Sequence, residues 1–350
     1  MTKDSFSLSC PLPNEKGSVI RLGHGSGGRM SHELFESIFL PAFNNEILAK
    51  RQDAAIIELE SKNIAITTDS YVVNPIFFPG GDIGSLCVHG TINDLCMQGA
   101  EPLYITTSFI IEEGFAIDDL KKIVSSICQA ASQTNVKVIA GDTKVVNRGA
   151  ADKIFINTTG IGKILLANPP GATKVNVGDS IIVSGDIGRH GMAVMCARNS
   201  FELETQLESD SAPLNEMVLQ LVKEGIELHC LRDITRGGLA TCLNEIAEVS
   251  GMEIEIDHSS IPLIEPVQSA CEILGLDPLF VACEGRFIAI VPEKFSDSTL
   301  DIMRQYEIGN NASKIGTVKK SAPGRVILKT SMGARRILDM LSGEQLPRIC

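Results

Sequence analysis

The sequence predicts a mixed α/β protein built from two domains of comparable size. Three observations carry that expectation. Apolar runs of strand length alternate with helical stripes across residues 51–166 and again across 179–330. Between them, Ala167 to Asp179 concentrates proline and glycine in Ala-Asn-Pro-Pro-Gly-Ala-Thr-Lys-Val-Asn-Val-Gly-Asp, as a connection between domains does. At 350 residues the chain is long enough for about two cores.

Residues 1–50 form a leader that contains Leu22-Gly23-His24-Gly25-Ser26-Gly27-Gly28-Arg29, whose glycines predict a mobile loop. Strands are expected at Ala54–Leu59, Ile64–Thr67 and Tyr71–Phe78. A helix follows, with Ile83, Leu86, Cys87, Val88, Ile92, Leu95 and Cys96 at helical spacing. Leu103–Ile111 reads as a strand, and Leu120, Ile123, Val124, Ile127, Cys128 and Ala131 form one helical stripe. Strands at Val136–Ala140 and around Ile154–Ile161 close the first domain. The second repeats the mixture: strand Ile181–Ser184, helices around Met192–Ala197, Pro213–Lys223 and Leu239–Val249, strands Glu253–Ile256 and Phe287–Val291, a helix near Ser298–Tyr306 and strand Ser313–Val318. In residues 331–350, Ile337, Leu338 and Leu341 suggest one or two helical turns before a mobile tail. From Glu344 to Cys350 that tail sweeps about 25 Å when extended.

Composition narrows the function. Hydrophobic residues make up 44% and charged residues 21%, ordinary globular usage. With 31 Lys plus Arg against 43 Asp plus Glu, the formal charge of −12 repels phosphate backbones and anionic lipid, so neither nucleic acid nor membrane is an expected partner. The first residues lack a signal-peptide core and no segment has the length of a bilayer span, so a cytoplasmic location is expected. None of the ten cysteines forms a Cys-x-x-Cys pair; Cys87, Cys96, Cys128, Cys196, Cys242 and Cys271 read as core residues.

Aspartates recur where strands end or turns begin: Asp53, Asp69 and Asp142, with Asp94 late in the first long helix. Ligands on α/β scaffolds collect at strand ends, and carboxylates sharing a pocket repel one another unless a hard cation such as Mg²⁺ bridges them to phosphate. Each Asp taken singly reads as a turn residue or helix cap before it reads as a ligand. Gly25, Gly27 and Gly28 can line an anion-binding nest, though the segment lacks the Gly-Lys-Ser/Thr of a P-loop and a solvated linker is the plain alternative. Lys144, two residues after Asp142, suits a phosphate as a point charge. Asp233 or Thr235 is the expected cap of the helix after Asp-Ile-Thr-Arg-Gly-Gly-Leu, whose glycines would let an anion approach its N-terminus. His24 and His32 lack metal-ligand spacing with any cysteine. Cys350 is the last residue, so it is no prenylation box; its sulfur sits on a swinging arm suited to carrying a group between sites.

In order, Gly-His-Gly-Ser-Gly-Gly, Gln-Asp-Ala-Ala, Thr-Thr-Asp-Ser, Asn-Asp-Leu-Cys-Met-Gln-Gly-Ala, Ala-Gly-Asp-Thr-Lys, Asp-Ile-Thr-Arg-Gly-Gly-Leu and terminal Pro-Arg-Ile-Cys resemble the NiFe-hydrogenase maturation branch of the aminoimidazole ribonucleotide synthetase-like superfamily over essentially the whole chain. That resemblance implies two mixed-sheet domains, residues 51–166 for ATP binding and dimerisation and 179–330 as the second. It further implies a homodimer whose N-terminal strands join in an intersubunit barrel with ATP beside it. A carbamoyltransferase, HypF, would load Cys350; the chain, as an ATP-dependent lyase, would dehydrate the S-carbamoyl group to a thiocyanate; the HypC–HypD complex would receive the cyanide for iron.

The expected mechanism uses ATP to turn a poor leaving group, the amide oxygen, into a good one. Mg²⁺ held by Asp69, Asp94, Asp53 and Asp142 would neutralise the phosphate, Lys144 would stabilise charge, and Glu284 in Cys-Glu-Gly-Arg is the candidate base. Gly25, Gly27, Gly28 and Asp233 complete the nucleotide-facing set. Two other readings remain: a small-molecule kinase or synthetase of the same superfamily, and a non-catalytic assembly adaptor.

Overall fold

The computed structural model describes residues 19–26, 28–50, 54–55, 57–58, 63–199, 207–320, 324–330, 332–340, 346 and 348–350. Gly27, Asp53 and, of the expected strand Ala54–Leu59, Ile56 and Leu59 lie outside them; the described Ala54, Ala55, Ile57 and Glu58 carry no strand. The glycine segment is not a loose loop over its described part. Leu22–Gly25 form a 3-10 turn in which His24 Nδ1 accepts the Arg21 N–H at 2.9 Å. Gly25 packs so tightly on Val145 that a Cβ would lie 2.3 Å from its nitrogen.

Helices α1 (Arg29–Leu34) and α2 (Leu40–Phe43) lead to β1 (Ile64–Tyr71), β2 (Phe77–Phe78) and β3 (Gly81–Asp82). The expected strand at Tyr71–Phe78 is corrected: β1 ends at Tyr71, and the chain turns at Asn74-Pro75. Asp82 starts α3 (Ile83–Met97) by accepting the Gly84 and Ser85 N–H groups at 2.6 and 3.1 Å, the reciprocal arrangement of a capping box. Then come β4 (Ala100–Glu112), α4 (Ile117–Gln133), β5 (Lys137–Val146) and β6 (Ile154–Ile164), giving a sheet in the order β1-β6-β4-β5. Helix α4 connects the one parallel pair of this sheet, β4 and β5, burying Leu120, Ile123, Val124, Ile127, Ala130 and Ala131 along one stripe. By contrast α3 is buried almost all round, since the sheet lies on one side and elements of the second domain on the other.

The second domain contains β7 (Ser180–Val183), α5 (Arg189–Asn199), α6 (Asn215–Lys223), β8 (Cys230–Asp233), α7 (Gly238–Ser250), β9 (Glu253–Asp257), α8 (Glu265–Leu274), β10 (Phe287–Val291), α9 (Ser296–Met303), β11 (Ser313–Lys319), β12 (Arg325–Lys329) and β13 (Arg335–Leu338). Its sheet runs β13-β12-β9-β11-β7-β10-β8, with β7 and β10 buried on both faces. Apolar runs such as Phe287-Ile288-Ala289-Ile290-Val291 therefore lack alternation.

Two expectations change here. Ile337 and Leu338 belong to β13 rather than a helical turn, Ile337 outward and Leu338 buried, because pairing with β12 sets a period of two. Neither Asp233 nor Thr235 caps α7. The helix is entered through Gly237 and Gly238 at φ +81° and +63°, and a Cβ on Gly238 would lie 2.6 Å from the Leu279 carbonyl oxygen.

Candidate active site

Three carboxylates from three elements converge where the domains meet. Asp69 lies on β1, Asp94 in the last turn of α3 and Asp233 at the end of β8. Alternation along β1 turns Thr67 and Asp69 to the same face, and the spacing of Thr91 and Asp94 turns both toward it. Thr67 Oγ1 donates to Asp94 Oδ2 at 2.8 Å, and Thr91 Oγ1 donates to Asp69 Oδ2 at 3.0 Å. Burial, reinforced by the charge of Asp94, pushes the Asp69 carboxyl up to about 6. The same two causes, in the same order, raise Asp233. Burial raises Asp94, with Thr67 opposing it.

Among the described residues, no group of three or more His, Cys, Asp and Glu side chains forms a metal cage. The Asp69–Asp94 pair nevertheless has the chemistry of a Mg²⁺ site: two hard oxygen donors whose charges oppose each other, held in place by threonine hydroxyls. That cation characteristically binds through one or two carboxylates and completes its shell with phosphate and water.

Beside Asp233 lies the terminus of the chain. Cys283 N–H donates to the Ile234 carbonyl at 2.9 Å, which brings Glu284 alongside the loop after β8. Glu284 N–H donates to Asp210 Oδ1 at 3.1 Å, and its carbonyl accepts from Asn93 Nδ2 at 3.4 Å. Gly285 is required by proximity: a Cβ there would lie 2.0 Å from the Asp210 carbonyl oxygen. The Glu284 side chain is buried and its carboxyl faces the Cys350 thiol; its Oε1 has no hydrogen-bond partner among the described residues. Burial first, then the charge of Asp233, pushes the Glu284 carboxyl far above the usual range. Burial and the charge of Glu284 likewise raise the Cys350 thiol, against which Arg236 acts as the nearest opposing cation. The tail is anchored by Ile349, which is 2% exposed. Burying such a side chain contributes on the order of 1.5–3 kcal/mol.

Gly25, Asp142 and Lys144 meet elsewhere, in a cavity of ≈ 470 Å³ floored by Phe35, Phe39 and Phe43. Lys144 Nζ pairs with Asp142 Oδ2 at 2.8 Å on the exposed edge of β5. In register, Asp142 stands beside Ser108, Ser108 beside Asn157 and Asn157 beside Ser70. Three strand spacings, roughly 14 Å, thus separate Asp142 from the neighbour of Asp69. One chain does not bring Asp142 and Lys144 to the Asp69–Asp94 pair. Gly28 is the residue from which α1 starts.

Sequence reasoning passed over Arg236, although it lies inside Asp-Ile-Thr-Arg-Gly-Gly, and the Asp210 and Asn93 contacts to the Glu284 backbone. The arginine had a signal, a cation embedded among glycines; the other two act through distant backbone groups and have none.

The four-stranded sheet and, β13 apart, the seven-stranded one, with acids at the seam, each fall within a domain of the AIR synthase related proteins. Residues 51–164 match the AIR synthase related protein N-terminal domain and 176–329 the corresponding C-terminal domain. The carbamoyl dehydratase HypE of Cupriavidus necator is 46% identical over 341 residues, covering 96% of each chain. A crystal structure of the hydrogenase maturation protein HypE in complex with ATP superposes with a TM-score of 0.91 at 47% identity, covering 94% of this chain and 99% of that one. A HypE–HypF complex gives 0.77 at 45% identity, covering 90% and 100%. The chain belongs to the HypE family of hydrogenase maturation proteins.

Proposed function

We infer that this protein is an ATP-dependent carbamoyl dehydratase of hydrogenase maturation, converting an S-carbamoyl group on its own Cys350 into a thiocyanate. One observation carries this reading: the terminal thiol is docked against the Glu284 carboxyl, beside Asp233 and Arg236. A docked carrier thiol disfavours both a free-metabolite kinase and a passive adaptor.

The chemistry sets the division of labour. ATP supplies the phosphoryl group that lets the carbamoyl oxygen leave as phosphate, and Mg²⁺ would be held by Asp69 and Asp94, supplying charge neutralisation when bound. Glu284, with one oxygen unpartnered among the described residues, is the assigned acceptor for a proton from the carbamoyl nitrogen, a role its raised carboxyl fills only once it has ionised. Gly25, Gly27, Gly28, Asp142 and Lys144 are the proposed seat of the nucleotide, Lys144 meeting phosphate, with Asp53 and Asp233 also facing it. Cys350 is half-buried, and its surroundings limit the access of water to the reacting group.

Separation of the Lys144 cavity from the Asp69–Asp94 pair makes a homodimer part of this reading. The outer face of the β1-β6-β4-β5 sheet exposes Ile64, Ile66 and Ile110, with Ile66 63% exposed, an apolar surface suited to burial against a second copy. Joining two such faces is the proposed intersubunit barrel, with ATP beside it.

HypF is the proposed source of the carbamoyl group, supported by the relative crystallised with it, and the HypC–HypD complex the proposed acceptor of cyanide. Among the described residues no helix is long and apolar enough to cross a membrane, and we propose a cytoplasmic location. The reading is tested by mass spectrometry of the carbamoylated C-terminal peptide. It should lose the mass of water only when ATP and Mg²⁺ are added; loss without ATP, or persistence of the carbamoyl adduct with both present, refutes it.

A further inference from the structure

The last two residues before Cys350 are gripped by their backbone carbonyls. His190, at the start of α5 and fully buried, brings Nε2 to 2.9 Å from the Ile349 carbonyl oxygen, and its Nδ1 lies 2.8 Å from Ser209 Oγ. Since a carbonyl only accepts, Nε2 carries the proton; Nδ1 then accepts from the Ser209 hydroxyl. Ser209 Oγ in turn accepts the Ser211 N–H at 3.0 Å, so its hydrogen bonds are consistent with that single tautomer. Phe78 meets the imidazole edge-on, with ring centroids 5.3 Å apart. One residue earlier, the Arg348 carbonyl accepts both from Arg198 Nη2 at 2.7 Å and from Asn74 N–H at 3.2 Å. Arg198 Nε also donates to the Asn74 carbonyl at 2.7 Å, so the guanidinium bridges tail and turn.

The same short segment that orients His190 also holds the candidate base. Ser209 holds the imidazole, Asp210 accepts the Glu284 N–H, and the Ser211 hydroxyl pairs with His89 Nδ1 at 3.1 Å. Three consecutive residues therefore constrain the tail and Glu284 against one frame.

We propose that His190 and Arg198 are positioning residues that hold the Ile349 and Arg348 carbonyls, and that through Ser209–Asp210 this grip sets Cys350 in register with Glu284. The proposal rests on the dehydratase reading for its catalytic consequence, while the docking it describes is measurable without any turnover. Burial holds His190 below the usual imidazole range, in keeping with the neutral tautomer its partners require.

The test alkylates Cys350 with iodoacetamide in the full-length, uncarbamoylated protein and reads the C-terminal peptide by mass spectrometry. Circular dichroism checks each variant's fold. His190→Ala and Arg198→Ala should each raise the alkylation rate at least tenfold. His190→Gln, whose amide supplies an N–H donor in the same direction, should stay much nearer the parent rate. On the carbamoylated protein, the two alanine variants should lower the dehydration rate at saturating ATP by about tenfold or more, with the ATP concentration at half-maximal rate unchanged within about twofold. An unchanged alkylation rate in folded alanine variants overturns the grip; faster alkylation with undiminished dehydration overturns its positioning role. Should His190→Ala not fold, Arg198→Ala, on a part-exposed side chain, decides alone. Failure of the parent protein to dehydrate at all sinks the dehydratase reading and leaves the alkylation result standing.

Discussion

The Cys350 thiol faces the Glu284 carboxyl, although one lies at the end of the chain and the other in the Cys-Glu-Gly-Arg segment before β10. Burial and then the charge of Glu284 raise the proton affinity of the thiol, while burial and then the charge of Asp233 raise that of the carboxyl, with Cys350 acting against them. The docked sulfur is thereby kept as a neutral thiol, and an attack by Cys350 on a carbamoyl donor belongs to the undocked tail.

Replacing Glu284 with glutamine removes the proton acceptor and keeps its size. Dehydration of the carbamoylated protein should fall by about 10²–10⁴-fold, the usual range for losing a general base. Single-turnover mass spectrometry reads the loss, with ATP affinity measured by calorimetry as control. A rate within threefold of the parent would remove Glu284 from the mechanism.

Asp69 titrates near 6 in the cation-free protein and Asp94 is raised with it, so protons and Mg²⁺ compete for the same oxygens. Above that pH Asp69 is ionised, which is where a cation relieves most. The increase in Tm on adding Mg²⁺ should be several degrees at pH 7.5 and much smaller at pH 5.5. Asp69→Asn should abolish the difference. In the cation-free protein the sign reverses: an acid whose folded pKa lies above its unfolded value loses stability as pH rises from about 4 to about 6.

Ile66 on the outer sheet face should be buried between two copies. Sedimentation of the parent chain should report twice its 37.6 kDa, and Ile66→Lys, which costs a monomer little because the side chain is already exposed, should shift the boundary toward one chain. A monomeric parent protein would dispose of the homodimer.

Gly285→Ala forces a Cβ to within 2.0 Å of the Asp210 carbonyl oxygen, so the 284–285 segment and residue 210 must part. Both a lower Tm and slower dehydration are expected together, since the displaced backbone carries Glu284. Unimpaired turnover would mean that the Asp210 contact does not locate the base.

What was legible in the residues is what local chemistry encodes. The α4 stripe could be read because an amphipathic helix repeats its apolar face within a few residues, and Cys350 because its position at the terminus is itself the signal. Helix α8 was missed: its buried stripe is only Val267, Ala270 and Cys271, and Pro266 at its first turn looks like a breaker although a helix start tolerates it. A separate strand over Tyr71–Phe78 is suggested because Val72 and Val73 continue the apolar run up to Asn74-Pro75, whereas only Tyr71, the end of β1, and Phe77–Phe78 are strand. At the site, the aspartates drew notice by an expected strand-end placement, although Asp69 and Asp142 lie within β1 and β5, and their division between the Asp69–Asp94 pair and the Asp142 cavity depends on strand order. Nothing in the spacing encodes that β6 and β4 stand between β1 and β5. The contacts of Asn93, Asp210 and His190 to backbone groups elsewhere are likewise a product of tertiary assembly.

The anchoring of the tail through two main-chain oxygens and the Ile349 side chain makes its seat indifferent to cargo. Bare sulfur, carbamoyl ester and nitrile all present the same handle to the protein, so no stage of the cycle is favoured by the grip itself. Direction must then come from how much room each cargo finds around the sulfur and from the nucleotide.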